Sequence, residues 1–189
     1  MNALTVNGKQ LTVDGVEILG YGVPAPVLEE VTIGTQTWKT KNLAIDDGQG
    51  GIYTQTVNYG QGDVVEYYYT WNAAVRVAAS IQGWHLPTPD EWDTLLDAVG
   101  GISTAGTKLK STYGWNDDGN GTDDYRFNGL PAGQLYNSFI NVGIIALFWT
   151  SAEYGSNGYF RSLETSANAG SGYNPKTFGY SVRLVKDAT

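Results

Sequence analysis

The clearest hydrophobic pattern in the first half of the chain predicts an amphipathic helix with a strong N-terminal signal. Thr88 is a suitable cap, Pro89 suits the first helical position, and Glu91 stands three residues after the cap, which together make a capping box. Gly100 and Gly101 follow the helical segment and predict its end. The predicted apolar face has the spacing i, i+3, i+4, i+7 and consists of Trp92, Leu95, Leu96 and Val99.

The N-terminal region shows the alternation of short β-strands instead. Residues 4–8 (LTVNG) and 11–15 (LTVDG) alternate apolar and polar positions, and each closes on a dipeptide typical of hairpin turns. Two prolines between residues 21 and 30 predict an extended linker. We therefore expect an N-terminal β segment with its linker in residues 1–30 and a folded domain in residues 31–189.

The pattern of the remaining chain indicates an α+β domain. Residues 31–43 predict a strand with a turn at Gly34, residues 144–151 predict a buried strand, and residues 181–187 predict a closing strand. Two helices in the first half followed by strands in the second half are typical of α+β folds. A helix starting near residue 71 would have an apolar face formed by Trp71, Ala74, Val75 and Ala78. The closing strand alternates charged residues with Val182, Leu184 and Val185.

Composition and charge exclude several classes of function. The 189 residues carry a net charge of −8, which disfavours a nucleic-acid partner and an anionic membrane surface because phosphates require a basic face. The absence of cysteine excludes disulfides and thiolate chemistry, and a single histidine excludes a multi-histidine metal centre. No apolar run approaches the length of a membrane span.

An acidic loop offers one candidate metal site. Its residues approach the D-x-[DN]-x-[DN]-G pattern, which presents oxygen atoms at alternate positions as Ca²⁺ requires. The twelfth position is Phe127, where a bidentate glutamate would be expected, so a solvated Asx-rich turn is the alternative. A calcium ion here would have a structural role, and we expect no other cofactor. The candidate ligands are Asn116, Asp118, Asn120, Asp123 and Asp124.

The segment 154–180 is the candidate binding surface. It is rich in tyrosine, serine, asparagine and glycine, the mixture that antibody loops use for rigid aromatic contacts and adaptable hydrogen bonds. The alternative is a long loop with turn chemistry and no ligand. The candidate contact residues are Tyr154, Asn157, Tyr159, Arg161, Asn168, Tyr173 and Asn174.

Catalytic chemistry has little support in the sequence. His85 precedes the capped helix, and a structural histidine bonded to the backbone is the favoured interpretation over a general base, which needs a positioned acid or nucleophile. Neighbouring carboxylates, such as Asp123 and Asp124, do not face each other across a cleft. The sequence therefore predicts a protein without enzymatic activity.

Six blocks of residues follow one another along the chain: TWKTKNL (37–43), YTWNAA (69–74), GWHLPTPDEW (83–92), residues 109–133, FWTSAE (148–153) and SVRLVKD (181–187). In this order they resemble the Fibrobacter succinogenes major paralogous domain. This family is similar to C-type lectin-like folds, which include the formylglycine-generating enzymes and the variable proteins of diversity-generating retroelements. The resemblance covers approximately residues 31–187.

The resemblance implies a compact lectin-like domain with two helices, a small twisted antiparallel sheet and neighbouring termini. The last strand would pair near the first, and the binding surface would lie on residues 154–180, where variable proteins of this fold carry their diversified positions. The formylglycine-generating reaction is excluded because it depends on cysteines, which are absent. The triplet Trp115, Asn116 and Asp117 lacks the upstream partner motif of sugar-binding lectins, so we interpret it as a coincidence.

These observations favour a non-catalytic displayed binding protein, such as a phage virion fibre or decoration component, on a virion or extracellular surface. Its partner would be a glycan or protein on a host cell. Residues 1–30 would contact other virion or surface proteins, and we expect a homo-oligomer, with a trimer as the commonest fibre arrangement. The alternatives are a secreted or surface-anchored bacterial protein of the same family and a glycan-active enzyme.

Overall fold

The computed structural model describes residues 30–186, together with the backbone of four two-residue strands nearer the N-terminus. These are β1 (Thr5–Val6), which pairs antiparallel with β2 (Lys9–Gln10), and β3 (Thr12–Val13), which pairs antiparallel with β4 (Val16–Glu17). They are the strands of the two predicted hairpins. The predicted linker lies outside the described residues except for its last residue, so the division of the chain at residue 30 stays a prediction.

The domain is a mixed α+β structure with three helices and several small antiparallel sheets in its described part. None of the helices in residues 30–186 is long and apolar enough to cross a membrane. In chain order the elements are β5 (Glu30–Ile33), β6 (Gln36–Lys39), β7 (Ile52–Asn58), β8 (Asp63–Tyr69), α1 (Trp71–Ala78), β9 (Trp84–His85), α2 (Pro89–Ala98), α3 (Ile102–Leu109), β10 (Gln134–Leu135), β11 (Phe139–Ile140), β12 (Ile145–Tyr154), β13 (Asn157–Glu164), β14 (Ala169–Pro175) and β15 (Val185–Lys186).

A four-stranded antiparallel sheet joins the two ends of the domain, in the order β5-β6-β15-β9. β5 and β6 form a hairpin that turns at Gly34, as the sequence predicts. In the centre of the sheet, Val185 of β15 pairs with Trp38 of β6 on one side and with His85 of β9 on the other. The expected pairing of the last strand with the beginning of the domain is therefore confirmed.

A second, three-stranded antiparallel sheet has the order β12-β13-β14. It contradicts the alternative in which residues 154–180 form a long loop, because β13 and β14 occupy most of that segment. Glycines in β14 make the pairing possible: a Cβ at Gly172 would lie 2.9 Å from the Phe160 ring on β13. The absent side chain makes room for the aromatic one, so a glycine-rich composition here serves strand packing and not turns.

The two predicted helices are present. Thr88 and Glu91 form the capping box of α2, and all four residues of its predicted apolar face are buried. The side chain of Thr70 caps α1 by accepting a hydrogen bond from the backbone of Ala73. The predicted face of α1 is wrong at Val75, which is 36% exposed. The residues that α1 buries are Ala73, Ala74, Val77 and Ala78.

The third helix, α3, is not predicted by the sequence. Its N-terminal residue follows Gly101, which offers no side-chain cap, and Gly106 lies in its interior. That glycine is required by a close approach to the β13–β14 turn, since a Cβ at position 106 would lie 2.6 Å from the carbonyl oxygen of Ala167. The lack of Cβ therefore lets α3 pack against the end of the second sheet, at a cost in intrinsic helix propensity.

Buried aromatic rings fill the core between the helices and the sheets. Trp92 of α2 packs against Trp38 of β6 at 5.0 Å between ring centroids and against Phe148 of β12 at 5.4 Å. In a neighbouring cluster, Trp149 stacks on Tyr180 at 4.1 Å. Fully burying a large apolar side chain contributes roughly 1.5–3 kcal/mol, so these rings are a main source of the stability of the domain.

The closing segment differs from the predicted alternation of apolar and charged positions. Residues 181–185 are all buried, and they include the charged side chain of Arg183. Arg183 places its guanidinium 4.3 Å from the Phe127 ring centroid and donates hydrogen bonds to Asn42 and to backbone carbonyls. A complete set of acceptors permits the burial of this charge, which the sequence pattern assigns to solvent.

Candidate functional site

Five of the seven predicted contact residues lie on one face of the β12-β13-β14 sheet. Opposed residues in antiparallel strands share a face, and alternate residues along one strand do so as well. Tyr154 is opposite Asn157, Tyr159 is opposite Tyr173, and Asn157, Tyr159 and Arg161 alternate along β13. The strand pairing therefore brings these five side chains together.

Three tyrosines at the end of this face form an exposed aromatic cluster, which we call the tyrosine patch: Tyr154, Tyr159 and Tyr173. The ring centroids of Tyr159 and Tyr173 are 4.7 Å apart, and those of Tyr154 and Tyr173 are 5.7 Å apart. Tyr154 is 72% exposed and Tyr173 is 53% exposed. The rings support one another in tilted contacts, in which Tyr159 is half-buried and Tyr154 and Tyr173 remain accessible to solvent.

Arg161 lies next to the tyrosine patch on the same face of the sheet, but unlike the tyrosines it is buried. Arg161 is only 5% exposed, and its guanidinium carbon is 5.3 Å from the Tyr159 ring centroid. The Nη2 group donates a hydrogen bond to Oδ1 of Asp93 at 2.5 Å and a longer one to the carbonyl oxygen of Pro89. Arg161 therefore connects the patch to the first turns of α2.

The other two predicted contact residues lie apart from the patch. Asn168 is exposed in the turn that joins β13 to β14, at the end of the sheet that packs against α3. Asn174 follows Tyr173 on β14 and therefore has the opposite orientation, where its amide donates a hydrogen bond to the hydroxyl oxygen of Tyr180. Strand alternation separates Asn174 from its neighbour in the sequence.

The acidic loop uses several of its oxygen atoms to organise its own backbone. Asn120 Oδ1 accepts a hydrogen bond from the backbone of Trp115, and Asp123 Oδ1 accepts one from the backbone of Asn128. Burial raises the pKa of Asp123, and its hydrogen bond to Asn128 and the charge of Arg183 oppose that effect. Within the described residues, no group of three or more histidine or acidic side chains is arranged to hold a metal. The calcium site stays a prediction.

His85 contacts the capping box at the N-terminus of α2. Its Nε2 atom is 2.7 Å from Oε1 of Glu91, while Oε2 of Glu91 accepts hydrogen bonds from the backbone and hydroxyl groups of Thr88. The sequence predicts that His85 bonds to the backbone. In the structure, one partner of its imidazole is the Glu91 carboxylate. The arrangement ties β9 to the start of α2, which is a structural use of the histidine.

A buried polar group around β8 was missed by the sequence analysis. Glu66 is almost completely buried, and its carboxylate accepts hydrogen bonds from Tyr59 and Asn42. Burial raises the pKa of Glu66, against the opposing effects of these two hydrogen bonds and of the charge of Arg183. The available signal was a single carboxylate inside an otherwise apolar and aromatic strand, Val64 to Tyr69.

No curated protein and no solved structure matches the chain. The model of the Fibrobacter succinogenes major domain matches residues 31–186, which includes the four-stranded sheet, all three described helices and the sheet that carries the tyrosine patch. Since this match spans most of the sequence, the chain belongs to the Fibrobacter succinogenes major domain family.

Proposed function

We propose that this protein is a non-catalytic binding module with a C-type lectin-like fold, displayed on a phage virion or another extracellular surface. The tyrosine patch contacts a glycan or protein on a host cell. The observation that carries the proposal is the exposure of Tyr154 and Tyr173 next to Tyr159 on one face of a regular sheet.

The chemistry of the patch suits recognition. Each tyrosine ring offers a large apolar face that packs on a sugar ring or on an apolar protein side chain, and a hydroxyl group that forms hydrogen bonds. Exposed aromatic groups that cluster, unlike scattered ones, are typical of interaction surfaces. Tyrosine also loses little conformational entropy on binding because it has only two side-chain torsions.

The contacts of Arg161 beside the patch favour binding with little rearrangement. Arg161 is held by Asp93 of α2 and lies against the Tyr159 ring, so the middle strand is attached to a capped helix. A surface that is already ordered avoids part of the entropic cost of association. This supports a contact surface on a rigid sheet in place of the variable loops that the composition suggests.

The lectin-like classification and the displayed location belong to the same proposal. The pairing of the last strand with β6 supports a domain whose ends lie on one sheet, leaving the β12-β13-β14 sheet free to face outward. Residues 1–30 would attach the domain to other virion or surface proteins, and a homo-oligomer, such as a trimer, would multiply weak contacts through avidity.

The patch is tested by replacing Tyr154 and Tyr173 together with alanine. The fluorescently labelled full chain is applied to whole bacterial cells and to immobilised bacterial surface polysaccharides, and we expect the double variant to lose at least about tenfold in affinity for the targets that the wild type binds. Tyr136→Ala is the matched control, because this residue is 55% exposed and lies outside the patch. Equal binding by the wild type and the double variant, or no binding by the wild type, contradicts the proposal.

The location is tested separately with an antibody against the full chain. Labelling of purified phage particles supports the virion component, whereas labelling of the bacterial cell surface alone supports a surface-anchored member of the family. Label restricted to cell debris contradicts display in either form.

A further inference from the structure

A cavity of about 290 Å³ lies away from the tyrosine patch, between residues 41–44 and strand β8. Tyr113, Asn128 and Leu130 complete its wall, and Glu66 and Arg183 contribute its buried charged groups. None of its lining residues belongs to the β12-β13-β14 sheet. Its size is close to the lower end of the roughly 300–1,000 Å³ typical of ligand pockets, which suits a small molecule.

Glu66 gives the cavity an open acceptor. The residue is 3% exposed, and its Oε1 and Oε2 atoms accept hydrogen bonds from the Tyr59 hydroxyl at 3.1 Å and the Asn42 amide at 3.2 Å. A carboxylate can accept about four hydrogen bonds, so about half of its capacity remains. A ligand that enters the cavity and donates hydrogen bonds would use it.

Arg183 compensates the charge of Glu66 but offers nothing to an anion. Its five N–H groups are directed at Asn42 Oδ1 and at the carbonyl oxygens of Lys39, Phe127 and Asn128. The charge of Glu66 is thus balanced by Arg183, and Lys41 adds a positive charge at the wall. A cationic ligand would meet no net negative charge. An anionic ligand would meet the carboxylate of Glu66 and no free guanidinium donor, and the one remaining cation, Lys41, is an exposed residue. The site therefore favours a neutral ligand.

The remaining lining groups match a neutral molecule that is polar at its edge and apolar on its face. Asn128 and Tyr113 are both lining residues, and within the described residues the Asn128 side-chain amide and the Tyr113 hydroxyl form no hydrogen bond. The amide can donate and accept at once. Leu43, Val64 and Leu130 supply apolar wall.

We propose that this cavity binds a single neutral saccharide ring, whose adjacent hydroxyl groups donate to Glu66 and pair with the Asn128 amide. Tyr113 contributes a further hydrogen bond, and the apolar side chains contact the carbon–hydrogen face of the ring. This site is independent of the tyrosine patch and does not require that the patch bind anything.

The test is saturation-transfer NMR on the full chain with the methyl glycosides of glucose, galactose, mannose and N-acetylglucosamine. Three conservative variants probe the site. Tyr113→Phe removes only a hydroxyl, Glu66→Gln keeps the shape of the side chain, and Asn128→Gly removes the amide at a backbone φ of +53° that glycine accepts without strain. We expect one or more glycosides to bind, and each variant to weaken binding by about fivefold or more while melting remains cooperative.

The outcomes separate this site from the patch. Binding that survives the Tyr154→Ala/Tyr173→Ala change but is weakened by Asn128→Gly or Tyr113→Phe in a folded protein supports the proposal, whether or not the patch has a target. Failure of all four glycosides to bind overturns it, as does binding that none of the three variants changes. Binding of tetramethylammonium or acetate at the cavity without any glycoside also overturns it, because the site would then select for charge.

Discussion

Arg161 of β13 and Asp93 of α2 are joined by a 2.5 Å hydrogen bond between a buried guanidinium and a more exposed carboxylate. This contact connects the helix that is most evident in the sequence to the sheet that carries the tyrosine patch. The Nε atom of Arg161 is buried without a partner in the described structure, so Asp93 is the main acceptor available to this charge. The pair therefore makes a direct prediction about stability.

Replacing Asp93 with alanine should lower the free energy of unfolding by about 1–3 kcal/mol, because it leaves the Arg161 guanidinium with only the weaker contact to Pro89. Urea denaturation measures the change. In the Asp93→Ala/Arg161→Met double variant, the buried charge is also removed, so we expect a loss smaller than the sum of the two single losses. Additive losses would show that the two side chains are not coupled.

The capping box of α2 gives a second prediction. Thr88→Ala removes the side-chain oxygen that accepts a hydrogen bond from the Glu91 backbone, and we expect it to cost about 1 kcal/mol. Thr94→Ala is a matched control in the same helix, since its hydroxyl bonds only to the carbonyl of Asp90, four residues earlier. Chemical denaturation should show a clear loss for Thr88→Ala and a smaller change for Thr94→Ala. Equal losses would mean that the cap contributes nothing specific.

The parts of the fold that could be predicted depend on local signals. The α2 capping box follows from three neighbouring residue types, and the Gly34 turn follows from one glycine between two strand patterns. Helix α3 has neither kind of signal: it starts after a glycine without a side-chain cap, and Gly106 is explained only by its contact with a distant turn. Its stability comes from packing, which a local pattern does not contain.

The residue types of the candidate site could be predicted from the sequence, but the arrangement of these residues in space could not. Tyr154, Tyr159 and Tyr173 lie close together because three strands pair in a particular register. Strand β14 was not predicted because its glycines are also typical of turns. Arg183 and Glu66 show the other limit. Each is a charged residue that a sequence pattern assigns to solvent, and only the acceptors and donors from distant segments make their burial tolerable.

Lys110 supports the turn between β13 and β14 and gives a third prediction. Its buried ammonium group donates hydrogen bonds to the carbonyl oxygens of Glu164, Thr165 and Ser166 at 2.9, 3.0 and 2.9 Å. Lys110→Met preserves most of the side-chain volume but leaves three carbonyls without this donor. We expect a loss of about 3 kcal/mol or more in thermal or urea unfolding, and faster hydrogen exchange in the turn.

Lys108→Met is the control for Lys110, because Lys108 lies two residues earlier, in the last turn of α3, and donates a single hydrogen bond, to the carbonyl of Val99. We expect this variant to lose about 1 kcal/mol and to leave exchange in the β13–β14 turn unchanged. A similar loss of stability for both variants would show that the three hydrogen bonds of Lys110 stabilise the protein no more than the single hydrogen bond of Lys108.

Glu66 makes the stability of the protein depend on pH in an unusual direction. Burial raises its pKa in the folded state above the ordinary value of about 4.5, so the folded protein binds this proton more tightly than the unfolded chain does. The resulting contribution to stability is present in full at pH values below the unfolded pKa. It declines as the pH rises through the two pKa values and reaches its minimum above the folded one, because ionised Glu66 must then remain buried.

Glu66→Gln removes this titration. The stability of the wild type relative to the variant should therefore fall as the pH rises from about 4 through the raised pKa of Glu66, in contrast to the usual behaviour of a salt-bridged carboxylate. Urea unfolding at a series of pH values measures the difference. Glu164→Gln, which changes an exposed carboxylate, corrects for the general effect of one less acidic group. A difference between the wild type and Glu66→Gln that is constant across this range, or that increases with pH, would mean that hydrogen bonds and Arg183 outweigh the effect of burial.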